Sequence, residues 1–416
     1  MDVNVAKINH TAMALTKNMN NYNYIIIGAG IVGLTIAKRI NELSPIKKIL
    51  IIDKESTEAF HASSRNSGVL HAGFYYTADS LKAKFTVDGN NAMRKYCADK
   101  NIPINTCGKL VVATNEAERV QLHDLHKRGV RNGSNVSIIS EAQALAIEPN
   151  VITHKEALFS PDTASVAPKV VCQKIKEELV ACGVTFLFDT AYKSHKLKTI
   201  TTTQGDFTYD QMINCAGLYA DKIARDFGFS QKYTIIPFKG LYLKYTKNKT
   251  DIKTNIYPVP NLKYPFLGVH FTKTVTNEIK IGPTAIPAFW RENYDGFDNF
   301  KFSELASIMW EEAKLFCENA SGFRDLAFEE AKKYKKSYFI KLAQDMVRDI
   351  DPAGFTTFTK PGIRAQLLDL KNRTLVQDFL IEADNKTIHV LNAVSPAFTC
   401  SFPFAEHIVE NYLNLN

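Results

Sequence analysis

An α/β fold with an inserted α+β domain is predicted for this 416-residue sequence from three observations. A hydrophobic strand, Tyr24-Ile25-Ile26-Ile27, runs into Gly28-Ala29-Gly30-Ile31-Val32-Gly33; a helix follows, and a second strand, Ile49 to Ile52, ends on Asp53-Lys54. Residues 235–285 instead alternate Ile, Tyr, Phe and Val with polar residues, punctuated by Pro258, Pro260, Pro265 and Gly268, which is the pattern of antiparallel sheet. The tail then returns to strand, loop and helix. A Rossmann-like domain interrupted by an antiparallel-sheet domain accounts for all three.

Each part of the opening motif has a physical task. Gly28 permits the tight turn, Gly30 lets a pyrophosphate approach the backbone, and Gly33 lets the helix pack close to the strand. The amides of Ile31 and Val32, at the helix N-terminus, offer N–H groups and a positive dipole end to phosphates. Asp53 is placed to accept a hydrogen bond from a ribose hydroxyl, with Lys54 beside it. The order strand, turn, helix, strand, acid points to a bound dinucleotide and so to redox chemistry. It does not distinguish a nicotinamide from a flavin.

Hydrophobic residues at 45% and charged residues at 23% describe an ordinary globular chain, long enough for two cores. The net charge of +8 includes no Lys/Arg run suited to a nucleic-acid arm, so no nucleic-acid partner is expected. Seven widely spaced cysteines without a C-x-x-C argue against a disulfide framework or a zinc site and for a reducing compartment. No metal is expected. No apolar run approaches a membrane span, and residues 1–22 lack the apolar core of a secretory signal, so they read as a disordered extension.

Along the chain, Phe60 to Tyr76 reads as an ordered loop of small and polar residues. Helices are expected from Leu81 to Tyr96, from Glu116 to Arg128, after the capping box Ser140-Glu141-Ala142-Gln143, and from Pro168 to a stop at Gly183. Strands are expected over Lys109 to Thr114, Val184 to Phe188, and in Gln211-Met212-Ile213-Asn214, which breaks into Cys215-Ala216-Gly217. Residues 301–348 are helical in pattern. Gly362-Ile363-Arg364, Asp378 to Ile381 and His389 to Ala393 read as strand and loop, and a helix runs from Ser401 to Tyr412.

Taken in order, these segments resemble the L-2-hydroxyglutarate oxidase/dehydrogenase family of D-amino-acid-oxidase-like flavoproteins. The resemblance is carried by IIIGAGIVGLTIA (25–37), NSGVLHAGFYY (66–76), SLKAKF (80–85), CGKLVVAT (107–114), INCAGLYAD (213–221), IYPVPNLKYPFLGVHFT (256–272), GIRAQ (362–366) and VLNAVSPAFT (390–399). It covers nearly everything after residue 22 and implies FAD as cofactor and a 2-hydroxy acid as substrate. The chain departs from the family at Arg65, where His is frequent, and matches only loosely over 288–345. The implied FAD-binding domain comprises residues 23–80, 150–234 and 350–416, and the implied substrate domain 81–149 and 235–349. An amino-acid or amine oxidase, or an oxidase of another 2-hydroxy acid, uses the same carboxylate and C2 hydrogen and remains the alternative.

Oxidising a 2-hydroxy acid needs a base for the hydroxyl proton and cations for the carboxylates, while the flavin does the electron chemistry. His71 is the candidate base, because an imidazole titrates near neutrality and this one follows the flavin-contacting loop. His270 is its rival as base or anchor, and His61 a weaker one. Arg364 is the candidate carboxylate clamp, since guanidinium pairs with carboxylate bidentately. For the second carboxylate Tyr76, Lys109, Tyr257 and Lys239 are unranked; for Lys109 and Lys239 a solvated surface lysine explains the sequence at least as well. For the flavin, Ser64, Arg65, Asn66, Ser67 and Gly68 are expected at the pyrophosphate and ring. Ala191 is expected near the adenine, and Ala216 and Gly217 on the ribityl side. Gly362 and the segment Pro396, Ala397, Phe398 and Thr399 are expected at the isoalloxazine, whose O2 would take backbone N–H groups.

The acceptor of the electrons is expected to be oxygen, or a quinone or carrier protein. A quinone would bring peripheral membrane contact through Lys332, Lys333, Lys335, Lys336, Tyr334, Tyr338 and Phe339, although a solvated face explains these residues equally. The expected location is the cytoplasm, with contact at the inner membrane, or the mitochondrion in a eukaryote.

Overall fold

The computed structural model describes residues 20–247, 252–260 and 268–413. The first strand, Asn21–Ile27, lies between Ile49–Ile52 on one edge and Gly205–Asn214 on the other, all parallel. Thr185–Leu187 extends the sheet beyond Ile49–Ile52. The long strand Gly205–Asn214 uses its far edge twice. Its first half pairs antiparallel with Thr199–Thr202, and its end pairs parallel with Thr387–Asn392. Ile25, Ile26, Leu50 and Ile52 are fully buried, as β-branched and aliphatic residues are in a parallel sheet covered on both faces.

At the end of the first strand the chain turns through Gly28, whose φ of 112° a side chain rarely adopts and whose Cβ would collide with the Cys215 carbonyl. The helix Ile31–Leu43 starts directly afterwards and buries Leu34, Ile36, Ala37 and Ile40. It packs on the C-terminal helix Ala397–Tyr412, which also packs on Leu81–Asp99. Phe85, Met93 and Cys97 of Leu81–Asp99 therefore share one core with Leu34 and Ile36. This helix covers the first sheet, although the boundary at residue 81 had assigned it to the inserted domain.

Eight further described strands form a second sheet, in the spatial order 355–358, 243–245, 279–282, 270–273, 255–258, 109–112, 156–160 and 137–140. Its pairs are antiparallel except for Asn255–Pro258 beside Lys109–Val112. Glu156–Ser160 belongs to this sheet too, inside a segment the boundary at 150 had placed with the first. A third sheet joins Tyr233–Gly240 to Gly362–Asp369 over eight paired residues, linking the middle of the chain to its tail.

The capping box at Ser140 is present, as the sequence predicts. Residues 301–348 fold as helices Phe302–Glu318, Phe323–Lys332 and Lys336–Gln344. Phe339 is wholly buried in the core of the second sheet, and Lys333 is buried against Glu330. Neither lies on an exposed basic face; Tyr334 is exposed. The C-terminal helix begins at Ala397, four residues before the expected Ser401, and carries Pro403 inside it. The expected disorder of residues 1–22 concerns mainly residues outside those described; Asn21 and Tyr22 are already in the first strand.

Candidate active site

A cavity of about 900 Å³ opens where the first strands end, the position at which open α/β sheets bind ligands. Gly28, Gly30, Ile31, Val32, Asp53 and Lys54 form one side of it. Gly30 caps the helix without a side-chain hydrogen bond, and the first turn holds no acidic residue. The Asp53 carboxylate accepts the Ala29 N–H at 2.8 Å and the Glu55 N–H at 3.0 Å, fastening the second strand to the glycine turn. Burial pushes its pKa up, against the pull of these two amides. Lys54 reaches the cavity, but its ammonium is engaged by Glu55 and Glu292. Gly33 packs against the Gly28 carbonyl and does not face the cavity.

The loop after Phe60 supplies the next wall. Ser63 accepts the Ile31 N–H at 2.9 Å, a role that the sequence reading gave to no residue while naming its neighbour Ser64, which does not face the cavity. Arg65 lines the cavity with its guanidinium centred 4.2 Å over the Tyr294 ring. Asn66 lines it too, yet its amide donates to the Ala62 and Ser63 carbonyls and its oxygen accepts the Gly68 N–H, so it holds the loop in shape. Ser67 accepts the Val69 N–H and hydrogen-bonds Tyr242, a cavity residue that the sequence did not single out. Gly68 stands behind this wall. His61 bridges Tyr294 and Glu55, at 2.7 and 2.9 Å.

Ala191, Ala216 and Gly217 all face the cavity. The Ala191 N–H donates to the Thr203 hydroxyl and its carbonyl accepts the Thr203 N–H, both at 2.9 Å. The Ala216 N–H donates to the Asn214 side chain. Gly362 and the residues Pro396, Ala397, Phe398 and Thr399 close the far end. Here the early start of the C-terminal helix matters: its N-terminus, with no side-chain cap, opens on the cavity and presents a positive dipole end.

His71 and Arg364 both face this cavity. His71 is 7% exposed, and its Nδ1 has no hydrogen-bond partner among the described residues. Burial drives its pKa well below the ordinary range, reinforced by the charges of Lys109 and His270, so the imidazole is neutral and does not titrate near neutrality, where the sequence alone placed it. Arg364 stands opposite Phe238 in the third sheet, donates to the Thr284 carbonyl at 3.0 Å and lies over Gly240.

His270, Tyr257, Lys109, Tyr76 and Lys239 are not on the cavity wall. His270 stacks on Tyr257 at 3.7 Å between ring centres, and its Nδ1 donates to the Gly268 carbonyl at 2.8 Å. Burial lowers its pKa to about 3. Lys109 is wholly buried, not the solvated lysine the sequence equally allowed, and burial lowers its pKa to about 7. Lys239 is half-buried and approaches the Asn293 side chain at 3.4 Å.

The donor set fits a dinucleotide. Two helix N-termini without side-chain caps face one cavity, neither with an acidic residue in its first turn, and one of them stands beside a glycine turn and a strand-end carboxylate. The sequence profile of the family described as "FAD dependent oxidoreductase" matches residues 23–411. The L-2-hydroxyglutarate dehydrogenase of Indibacter alkaliphilus is 36% identical over 402 residues, covering 94% of this chain and 98% of its own length. The human mitochondrial L-2-hydroxyglutarate dehydrogenase is 32% identical, covering 94% of this chain and 88% of its own. Among solved structures, the FAD-bound L-α-glycerophosphate oxidase of Mycoplasma pneumoniae superposes with a TM-score of 0.73 at 19% identity, over 94% of each chain. A glycine oxidase from Geobacillus kaustophilus gives 0.67 at 16% identity, again over 94% of each. The chain belongs to the FAD-dependent oxidoreductase family, in the branch whose curated members are named L-2-hydroxyglutarate dehydrogenase.

Proposed function

We propose that this flavoenzyme oxidises the C2 alcohol of L-2-hydroxyglutarate to the ketone of 2-oxoglutarate. The observation that carries the reading is that a histidine held neutral by burial, His71, and an arginine, Arg364, both line the cofactor cavity. The substrate of the 36%-identical relative, as its name gives it, supplies the identity of the acid. Bound FAD supplies the two-electron acceptor that takes the C2 hydrogen as hydride.

The protein's own residues do the rest. Arg364 holds the C1 carboxylate and so fixes which face of C2 is presented. His71 takes the hydroxyl proton at a ring nitrogen; burial favours its neutral form, which is the form that can accept one. The N-terminus of the C-terminal helix provides positive potential at the cofactor end of the site. Electrons then leave to oxygen, or to a quinone or carrier protein. Among the described residues no helix is long and apolar enough to cross a membrane.

The test is anaerobic reduction of the flavin. The L isomer of 2-hydroxyglutarate should bleach the visible band, while the D isomer and L-amino acids should leave it intact. Bleaching by an amino acid or amine alone would replace this reading with the amino-acid oxidase alternative. Readmitting air then reports whether oxygen accepts the electrons.

A further inference from the structure

Lys109 is the most unusual charged residue outside the cavity wall. Its strand, Lys109–Val112, runs in the interior of the second sheet between Asn255–Pro258 and Glu156–Ser160, and all four of its residues are buried. The ammonium lies 4.2 Å from the centre of the Tyr257 ring, 5.1 Å from that of Tyr75 and 5.4 Å from that of Phe74. No hydrogen-bond partner for Nζ is found among the described residues. Ring faces attract a cation but do not replace its lost hydration. A buried ammonium without an anion is therefore an incomplete site.

Two other polar atoms nearby are incomplete in the same way. The Tyr75 hydroxyl and His71 Nδ1 are buried without a hydrogen-bond partner among the described residues. Both residues belong to the same short stretch, His71 to Tyr75, whose first member faces the cavity. The ammonium sits over the Tyr257 ring, on which His270 stacks, and over the Tyr75 ring at the far end of the stretch that His71 begins; its charge lowers the pKa of both histidines. An ammonium and a hydroxyl donor without acceptors call for an anion, and a carboxylate supplies acceptors to both.

We propose that Lys109, in its box of Phe74, Tyr75 and Tyr257, is the seat of a second carboxylate, so that the site selects a five-carbon dicarboxylate over the monocarboxylate of equal length. The proposal rests on the functional reading above, which sets the C2 end of the substrate at His71 and Arg364. The distal carboxylate enters from the cavity past His71, accepts from the Lys109 ammonium and the Tyr75 hydroxyl, and restores the hydrogen bonds they lack.

The test uses the FAD-loaded full chain and two unreactive probes, glutarate and pentanoate, which differ only in the second carboxylate. Binding is read from the shift of the oxidised flavin spectrum and from the thermal unfolding midpoint. Wild type should bind glutarate at least about tenfold more tightly than pentanoate, the scale of one charge-assisted hydrogen-bonded contact. Lys109→Met should erase that preference and leave pentanoate binding unchanged, and Tyr75→Phe should reduce it about threefold. Ligand-free Lys109→Met should melt no lower than wild type, because an unpaired buried charge has been replaced by an apolar chain of similar length. A glutarate preference that survives Lys109→Met, or an equal loss of both probes, would overturn the proposal; so would a wild type with no preference. Should Lys109→Met fail to fold, the same outcomes are read from Tyr75→Phe. Failure of the functional reading looks different: wild-type flavin is not reduced by L-2-hydroxyglutarate, whatever glutarate does.

Discussion

The backbone N–H of His71 donates to the Thr399 hydroxyl at 3.1 Å, tying the candidate base to the first turn of the C-terminal helix. Both groups are buried, and the same hydroxyl lies 3.5 Å from the Val69 carbonyl. The position of His71 over the cavity is therefore set by a residue from the opposite end of the chain. Thr399→Val keeps the shape and deletes the acceptor. It leaves a buried N–H unpaired, at a cost of about 1–3 kcal/mol in stability. Turnover should fall by roughly tenfold to a hundredfold through misplacement of the imidazole, with little change in KM, while Thr399→Ser restores it. Denaturant titration and stopped-flow flavin reduction measure the two effects. Unchanged turnover with lowered stability would reduce the bond to a packing role.

Asp53 fastens two backbone amides at the mouth of the glycine turn, those of Ala29 and Glu55. Asp53→Ala frees both and removes the carboxylate expected at the ribose. FAD affinity should weaken by at least about tenfold, or about 1.4 kcal/mol, as measured by flavin fluorescence during dialysis. A variant that retains full cofactor would show that the carboxylate serves only the turn.

Glu312, on the helix Phe302–Glu318, is 9% exposed, and one of its carboxyl oxygens has no partner among the described residues. Burial pushes its pKa from the ordinary 4.5 up to about 8. Between these values the folded chain holds a proton that the unfolded chain has released, so stability falls as pH rises through this window and levels off above it. The slope from this one group is at most about 1.4 kcal/mol per pH unit. Glu312→Gln should flatten it and raise the unfolding midpoint at pH 8 more than at pH 5. Equal midpoint shifts at both pH values would show that Glu312 does not titrate in this range.

The parts of the fold written locally were legible. The glycine turn, its flanking strands and the Ser140 capping box depend on residues a few positions apart. What depended on distant partners was not. For Lys109 the sequence left ligand and solvated lysine equally open, because alternation along one strand cannot reveal that both neighbouring strands and both faces are covered. Ser63 rather than Ser64 meets the helix amide because the loop is shaped by Asn66 bonding back to Ala62 and Ser63, a detail without periodicity. The last helix starts four residues before the expected Ser401 and carries Pro403 inside it, although proline is most at home in a first turn. Here it sits deeper, and the carbonyl of Thr399 that it leaves without a helical N–H lies where Leu81–Asp99 comes closest, at Gly89. A Cβ on Gly89 would strike that carbonyl, so the proline and the glycine form a matched pair.

The cavity walls run from Ile27 to Thr399. During synthesis the glycine turn leaves the ribosome well before its partners at Gly205–Asn214 and Thr387–Asn392. The nascent chain must therefore carry an unfinished parallel sheet, with exposed isoleucine strands, until the final helix emerges. A dinucleotide held in this cavity would touch segments made first and segments made last, so its binding would favour the closed chain over the open one.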